Sequence, residues 1–226
     1  MNPSIKNLTA IADRETRTII GLMSGTSLDG LDIARCRITG SGSRTKVDLT
    51  HFVTKPYSAY HKGHLKKITS VEHVSLAEVC RQHTWLAAHH AELILEALSE
   101  WGVKAEEIDC IASHGQTIYH LPARKQREFP QPLNATLQIG DGDRIAARTG
   151  ILTISDFRQK HTAHGGEGAP MAALVDRILF GDENESRILL NIGGIGNYTF
   201  LPAGKQGKHG LFTTDTGPGN TLIDTR

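Results

Sequence analysis

The chain has 226 residues, enough to bury a sizeable core in one large domain or in one domain and part of another. Its 25 Lys+Arg against 24 Asp+Glu leave a net charge of +1, so no long-range field steers it to nucleic acid or to a membrane surface. No apolar run reaches the length of a membrane span, residues 1–15 are too polar for a secretory signal, and three cysteines without paired spacing read as reduced thiols on core elements. The expected location is the cytoplasm.

Residues 1–17 are polar and without periodicity, which predicts a mobile leader. Residues 19–38, IIGLMSGTSLDGLDIARCRI, read as a strand, a tight turn and a second strand carrying Asp29 and Asp32. Small residues at Ser24, Gly25, Thr26 and Ser27 let backbone N–H groups and hydroxyls close on an anion, and the geometry suits a phosphate. Two carboxylates beside a phosphate repel it unless a divalent metal or its water shell intervenes, so the local reading is a phosphate-and-magnesium hairpin. An ordinary hairpin, with Gly and Asp serving only the turn, stays open at this point.

Residues 46–54 alternate, with Val47, Leu49 and Val53 on one face, and predict a third antiparallel strand. A long helix follows over 75–101, opened by a capping box of Ser75 and Glu78, with Leu76, Val79, Cys80, Ala87, Ile94 and Leu98 on one face, and ended by Gly102. Its histidines and Trp85 read as packing and surface residues. A short buried strand is expected over 108–112, with Ser113-His114-Gly115-Gln116-Thr117 as a polar loop at its carboxyl end, where open α/β sheets bind ligands. A capped polar turn is the competing reading.

Residues 121–132 read as an exposed loop, 136–139 as an extended stretch, Asp141 as the cap of a helix through Arg148, and 151–154 as another buried strand. A second polar loop, Asp156-Phe157-Arg158 and then Gly165 to Pro170, precedes a helix from Pro170 to Phe180. Residues 187–201 then restart the opening pattern of strand, glycine turn and strand, and a third strand leads into Asp215-Thr216-Gly217-Pro218-Gly219-Asn220. Hairpin, third strand, helix, strand, helix is the order of one half of an actin-like (ribonuclease H-like) ATPase fold. The expected division is a leader over 1–17, a first actin-like domain over 18–186, and the start of a second over 187–226, where the chain looks unfinished. The histidines are scattered, the pairs His89/His90 and His161/His164 come nearest to a cluster, and neither makes a convincing metal site.

In this order GLMSGTSLDGLD, SHGQT, LQIGD, SDFR with GGEGAP, LLNIGGIGN and DTGPGN closely resemble the anhydro-N-acetylmuramic acid kinase family, from about Thr18 to Asp224. The resemblance implies an actin-like sugar kinase of cell-wall recycling. Such an enzyme opens the 1,6-anhydro bridge with water and phosphorylates the freed 6-hydroxyl from ATP and Mg²⁺. It implies that Gly25, Thr26, Ser27, Leu28, Asp29, Gly30, Leu31 and Asp32 form the ATP phosphate motif, with Asp29 reaching the metal through water, and that Asp215 is the general base. His114, Gln116, Gly166, Glu167 and Asn191 are the expected sugar contacts, ATP and an anhydro amino sugar the expected partners, and a homodimer is allowed. His161 stands where many members carry an acidic residue, Glu167 turns GGQGAP into GGEGAP, and Thr225-Arg226 departs from the usual Ala-Trp. A non-catalytic remnant that binds sugar or a protein partner is the alternative.

Overall fold

A computed structural model describes residues 3–204 and 210–223, which fall into two compact units. The expectations for Met1, Asp224, Thr225 and Arg226 lie outside the described residues. The first unit comprises Met1–Ser24, Leu28–His120 and Leu137–Phe157, the second Gly25–Ser27, Leu121–Thr136 and Arg158–Arg226.

The first unit opens with helix α1 (Pro3–Ala12) and a meander of β1 (Thr16–Ser24), β2 (Gly30–Thr39) and β3 (Lys46–Pro56). Helices α2 (Ala59–Lys66) and α3 (Leu76–Glu100) follow, then β4 (Cys110–Leu121), β5 (Ala135–Ile139), α4 (Gly142–Thr149) and β6 (Thr153–Ile154). The sheet order is β3-β2-β1-β4-β5, with β6 also beside β4. The meander is antiparallel, whereas β4 runs parallel to both β1 and β6. An antiparallel meander followed by parallel strands reached through helices is the build of one actin-like half, and the chain has the α/β class expected of it.

Alternation along β1 explains which face is buried: Ile20, Leu22 and Ser24 are all enclosed. Leu22 lies opposite Ile33 on β2, so the two share a face, and Ile20 lies opposite Ile111 on β4. Against that face α3 lays Leu86, Ala87, Ile94 and Leu98, and α4 contributes Ile145. Asp141 caps α4 as expected, accepting from the backbone of Asp143 at 3.0 Å.

Several local expectations change. The supposed leader is helical over Pro3–Ala12 because Ile5, Leu8 and Ile11 recur at a three-residue spacing, and Ile11 is buried. The capping box does not form: Glu78 accepts from Gln82 Nε2 at 2.8 Å and pairs with Arg81, and the Ser75 side chain makes no cap bond. Leu76 and Cys80 are exposed, since the buried stripe of α3 starts a turn later at Gln82; Cys110 is buried as expected and Cys36 half-buried. Helix α2 was not foreseen, because Gly63 and its charged neighbours hide the pattern that buries Leu65.

The second unit holds α5 (Phe157–Ala163), α6 (Ala173–Phe180), a three-stranded antiparallel sheet of β7 (Arg187–Ile192), β8 (Ile195–Leu201) and β9 (Phe212–Pro218), and the single turn α7 (Asn220–Ile223). The helix expected from Pro170 starts only at Ala173. Helix α6 is fastened to the sheet by Thr199 Oγ1 donating to Asp176 Oδ2 at 2.8 Å. Among the described residues no helix is long and apolar enough to cross a membrane.

Candidate functional site

In the first unit the candidate residues gather at the end of β1. Leu28 takes a left-handed backbone (φ 57°) that turns the chain, and its side chain enters the core. Gly30 follows, where a Cβ would strike the Lys55 carbonyl on β3, so the sheet closes tightly just after the turn. Leu31 is fully buried behind it. Asp29 is exposed, with Oδ1 accepting from the Gly30 N–H at 3.1 Å. Asp32 accepts from Thr54 Oγ1 across the β2–β3 pair at 2.6 Å, so its carboxylate is tied to the sheet rather than presented alone. Gly25, Thr26 and Ser27, which are grouped with the second unit, form the turn between β1 and β2, and the hydroxyl-bearing pair is exposed.

The SHGQT segment lies inside β4 rather than beyond a strand end, contrary to the sequence reading. Pairing with β1 runs Leu22↔Ser113 and then Ser24↔Gln116, so β4 spends one extra residue at a bulge. Gly115 makes it possible with φ 71° and by lying so close to the Ile139 carbonyl that a Cβ would approach it to 2.6 Å. The extra residue switches parity, which turns both Ser113 and Gln116 inward, each with no exposure, while His114 is half-buried. Gln116 is thus fully engaged: Oε1 accepts from Ser24 Oγ at 2.5 Å and Nε2 donates to the Thr117 carbonyl at 3.1 Å. Ser24 Oγ also lies 2.9 Å from the Tyr57 hydroxyl, which is 2.7 Å from His90 Nε2. Burial pushes the Tyr57 phenol up and His90 down to about 3.

In the second unit Asp215 is exposed on β9 opposite Asn197, which lies opposite Asn191 on β7. Directly opposed residues share a sheet face, so Asn191, Asn197 and Asp215 form one polar row. The segment after Asp215 folds back on the glycine turn between β7 and β8: Gly219 N donates to Gly194 O at 2.9 Å and Asn220 N to Gly193 O at 2.7 Å. The GGEGAP loop is held from several sides. His161 Nδ1 accepts from Gly168 N at 3.1 Å, Arg158 Nη1 donates to Gly168 O at 2.5 Å, and Asn134 Nδ2 donates to Gly165 O at 3.1 Å. Gly166 packs on the His161 ring, and Glu167 pairs with Arg124, whose charged form is favoured first by that bond and also by the field of Asp215.

Sequence reading therefore missed Tyr57, His90, Arg124 and Asn197. Arg124 sat in what looked like a solvated loop, and Asn197 was visible only as the last letter of LLNIGGIGN. No three His, Cys, Asp or Glu side chains among the described residues converge as a ready-made metal site. A cation at Asp29 would take most of its ligands from phosphate and water, which is how Mg²⁺ ordinarily binds.

Residues 17–226 match the family model described as anhydro-N-acetylmuramic acid kinase. The chain belongs to the anhydro-N-acetylmuramic acid kinase family. It is 49% identical over 226 residues to the anhydro-N-acetylmuramic acid kinase of Pseudoalteromonas atlantica, covering 99% of this chain and 55% of that protein. Against the kinase of the same name from Pseudoalteromonas translucida identity is 47%, covering 99% and 55%, and against that from Bacillus thuringiensis it is 41%, covering 91% and 53%. The chain spans about half the length of these relatives. The family setting gives the two internal departures a physical meaning: His161 supplies a ring nitrogen that holds the Gly168 amide, and Glu167 supplies a carboxylate that holds Arg124.

Proposed function

We propose that this chain carries the phosphate loop and the general base of an ATP-dependent kinase acting on 1,6-anhydro-N-acetylmuramic acid in peptidoglycan recycling. Water adds at the anomeric carbon, the bond from that carbon to the bridging oxygen breaks, and the freed 6-oxygen takes the γ-phosphoryl group of ATP. The products are N-acetylmuramic acid 6-phosphate and ADP. The observation that carries the reading is Asp215, an exposed carboxylate in line with Asn197 and Asn191 in a chain matching the family from residue 17 to 226.

Asp215 takes the proton of the attacking water, for which an ionised carboxylate is a suitable acceptor. Residues Gly25 to Asp32 receive the ATP phosphates through the turn's N–H groups and the Thr26 and Ser27 hydroxyls. Asp29 would hold Mg²⁺ through water, and the ion when bound would supply charge neutralisation for the transferring group. Asp32, anchored by Thr54, stiffens the hairpin. His114, Gly166, Glu167 and Asn191 serve the sugar, Glu167 by way of Arg124, and Gln116, fully enclosed, acts by positioning. The reaction belongs to the cytoplasm, where ATP is supplied.

The test is to express the full-length gene product, supply ATP, Mg²⁺ and anhydro-N-acetylmuramic acid, and follow ADP release together with the mass of the sugar. A product heavier by one water and one phosphoryl group, absent without Mg²⁺, is expected. Sugar binding without turnover would replace the kinase by a binding protein. Sedimentation of the same preparation decides the homodimer.

A further inference from the structure

Tyr57 touches both ends of the turn that the kinase reading assigns to ATP phosphates. Its backbone N–H donates to the Asp29 carbonyl at 2.9 Å, and its hydroxyl meets Ser24 Oγ at 2.9 Å. Behind it His90, with no exposure, places Nε2 at 2.7 Å from the same hydroxyl and stacks its ring on the Tyr57 ring at 7°.

The chain of bonds has one direction. Gln116 Nε2 donates to the Thr117 carbonyl, so its Oε1 is the atom offered to Ser24. A serine has a single proton, and this one goes to Gln116. The Tyr57 hydroxyl must then donate to Ser24, and can only accept from His90. His90 is therefore the Nε2–H tautomer with a bare Nδ1, and of its two ring nitrogens Nδ1 is indeed the one buried without a hydrogen-bond partner. Reversing the direction would bury an Nδ1–H with no acceptor and aim the Gln116 carbonyl at that of Thr117, two penalties against the forward direction's single one, a bare acceptor nitrogen. A bare imidazole nitrogen buried in apolar surroundings stays neutral, consistent with a His90 pKa of about 3.

We propose that Tyr57 and His90 are positioning residues of the phosphate loop: a one-way hydrogen-bond relay, His90 to Tyr57 to Ser24 to Gln116, fixes Ser24 and Asp29 at the spacing that ATP phosphates require. This rests on the kinase reading for its consequence, whereas the relay itself rests on geometry alone. Neither residue touches substrate; each acts through Ser24 and Asp29.

Two measurements on the full-length gene product test it separately. The ¹⁵N imidazole spectrum of His90 should show the neutral Nε2–H tautomer near neutral pH and should shift in Tyr57→Phe. A charged ring or the Nδ1–H tautomer overturns the relay whether or not the protein is a kinase. In steady-state ADP release, Tyr57→Phe should lower kcat/KM for ATP by about 10- to 100-fold, the scale of a misplaced reacting group, with the KM for the sugar within about twofold. His90→Gln, whose amide N–H reaches as far as Nε2, should restore most of what His90→Leu loses. If the wild-type protein is active and Tyr57→Phe leaves the ATP parameters unchanged in a variant that melts normally, the positioning role is wrong. If the wild-type protein itself releases no ADP, the kinase reading has failed, and the spectrum alone decides the relay.

Discussion

Asp215 and Asp29 are both exposed carboxylates, but their neighbours set them different tasks. Asp215 lies in a row of amides that can orient a water and a sugar without competing for the proton, which suits a base. Asn at this position keeps the size and one acceptor but cannot take a proton at neutral pH. Asp215→Asn in the full-length protein should therefore lose turnover by at least about 10² to 10⁴, with ATP and anhydro-sugar affinities within about tenfold. Calorimetry and ADP release on one preparation check this; survival of turnover with an unchanged pH profile would move the base elsewhere. Asp29 instead has one oxygen on its own turn, accepting from the Gly30 N–H, and is otherwise exposed. Asp29→Asn should reduce turnover about 100-fold and raise the Mg²⁺ concentration needed for half activity. Unchanged Mg²⁺ dependence would return Asp29 to turn geometry alone.

The hairpin and α3 were legible at the level of elements because their signals are local: two-residue alternation in the strands, and a recurring apolar stripe that closes at Gly102. The fate of SHGQT was not. A glycine among polar residues reads as a strand end, but here it is a bulge whose effect depends on the register with β1, information that lives on another segment. For the same reason Gln116 was foreseen as a sugar contact when it is a buried link to Ser24, and the Tyr57–His90 pair was invisible because its members lie far apart in sequence. Asp215 became a candidate through motif resemblance and Asp29 through the small-residue turn beside paired carboxylates as well as that resemblance; periodicity pointed to neither. The tight β2–β3 approach gives an element-scale prediction. Gly30→Ala must push a methyl against the Lys55 backbone, which cannot swing aside as a side chain would. A loss of about 1–3 kcal/mol in stability is expected, the range of overpacking, read as a lower urea midpoint at unchanged m. A midpoint equal to wild type would mean that the strands separate more easily than their pairing implies.

At the scale of the whole molecule, buried histidine makes the stability of the first unit depend on pH. The folded pKa of His90, about 3, lies below its ordinary value of 6.5, so between these limits the unfolded chain binds a proton that the folded chain refuses. Its contribution is complete above 6.5 and is lost as pH falls toward 3, by up to about 1.4 kcal/mol per pH unit. His61 acts with the same sign, since burial and then the neighbouring His89 lower its pKa. Glu78 and Asp182, whose carboxyl groups are held below their usual values by hydrogen bonds from Gln82 and from the Asn184 backbone, also lose stabilisation on acidification, but only as pH drops below the carboxylate range. The histidine contribution is thus separable between about pH 5 and 6.5. Both tryptophans report on this unit, Trp85 within α3 and Trp101 at its end, so urea unfolding followed by their fluorescence reads the relevant region. The wild-type midpoint should fall steadily across that window. His90→Gln, which has no proton to gain, should flatten the fall by up to about one proton's worth from pH 6.5 down toward 3, leaving below pH 5 the part contributed by the carboxyl groups. An identical slope in the variant would show that His90 is reached by protons in the folded state, and the one-way relay through Tyr57 would lose its neutral donor.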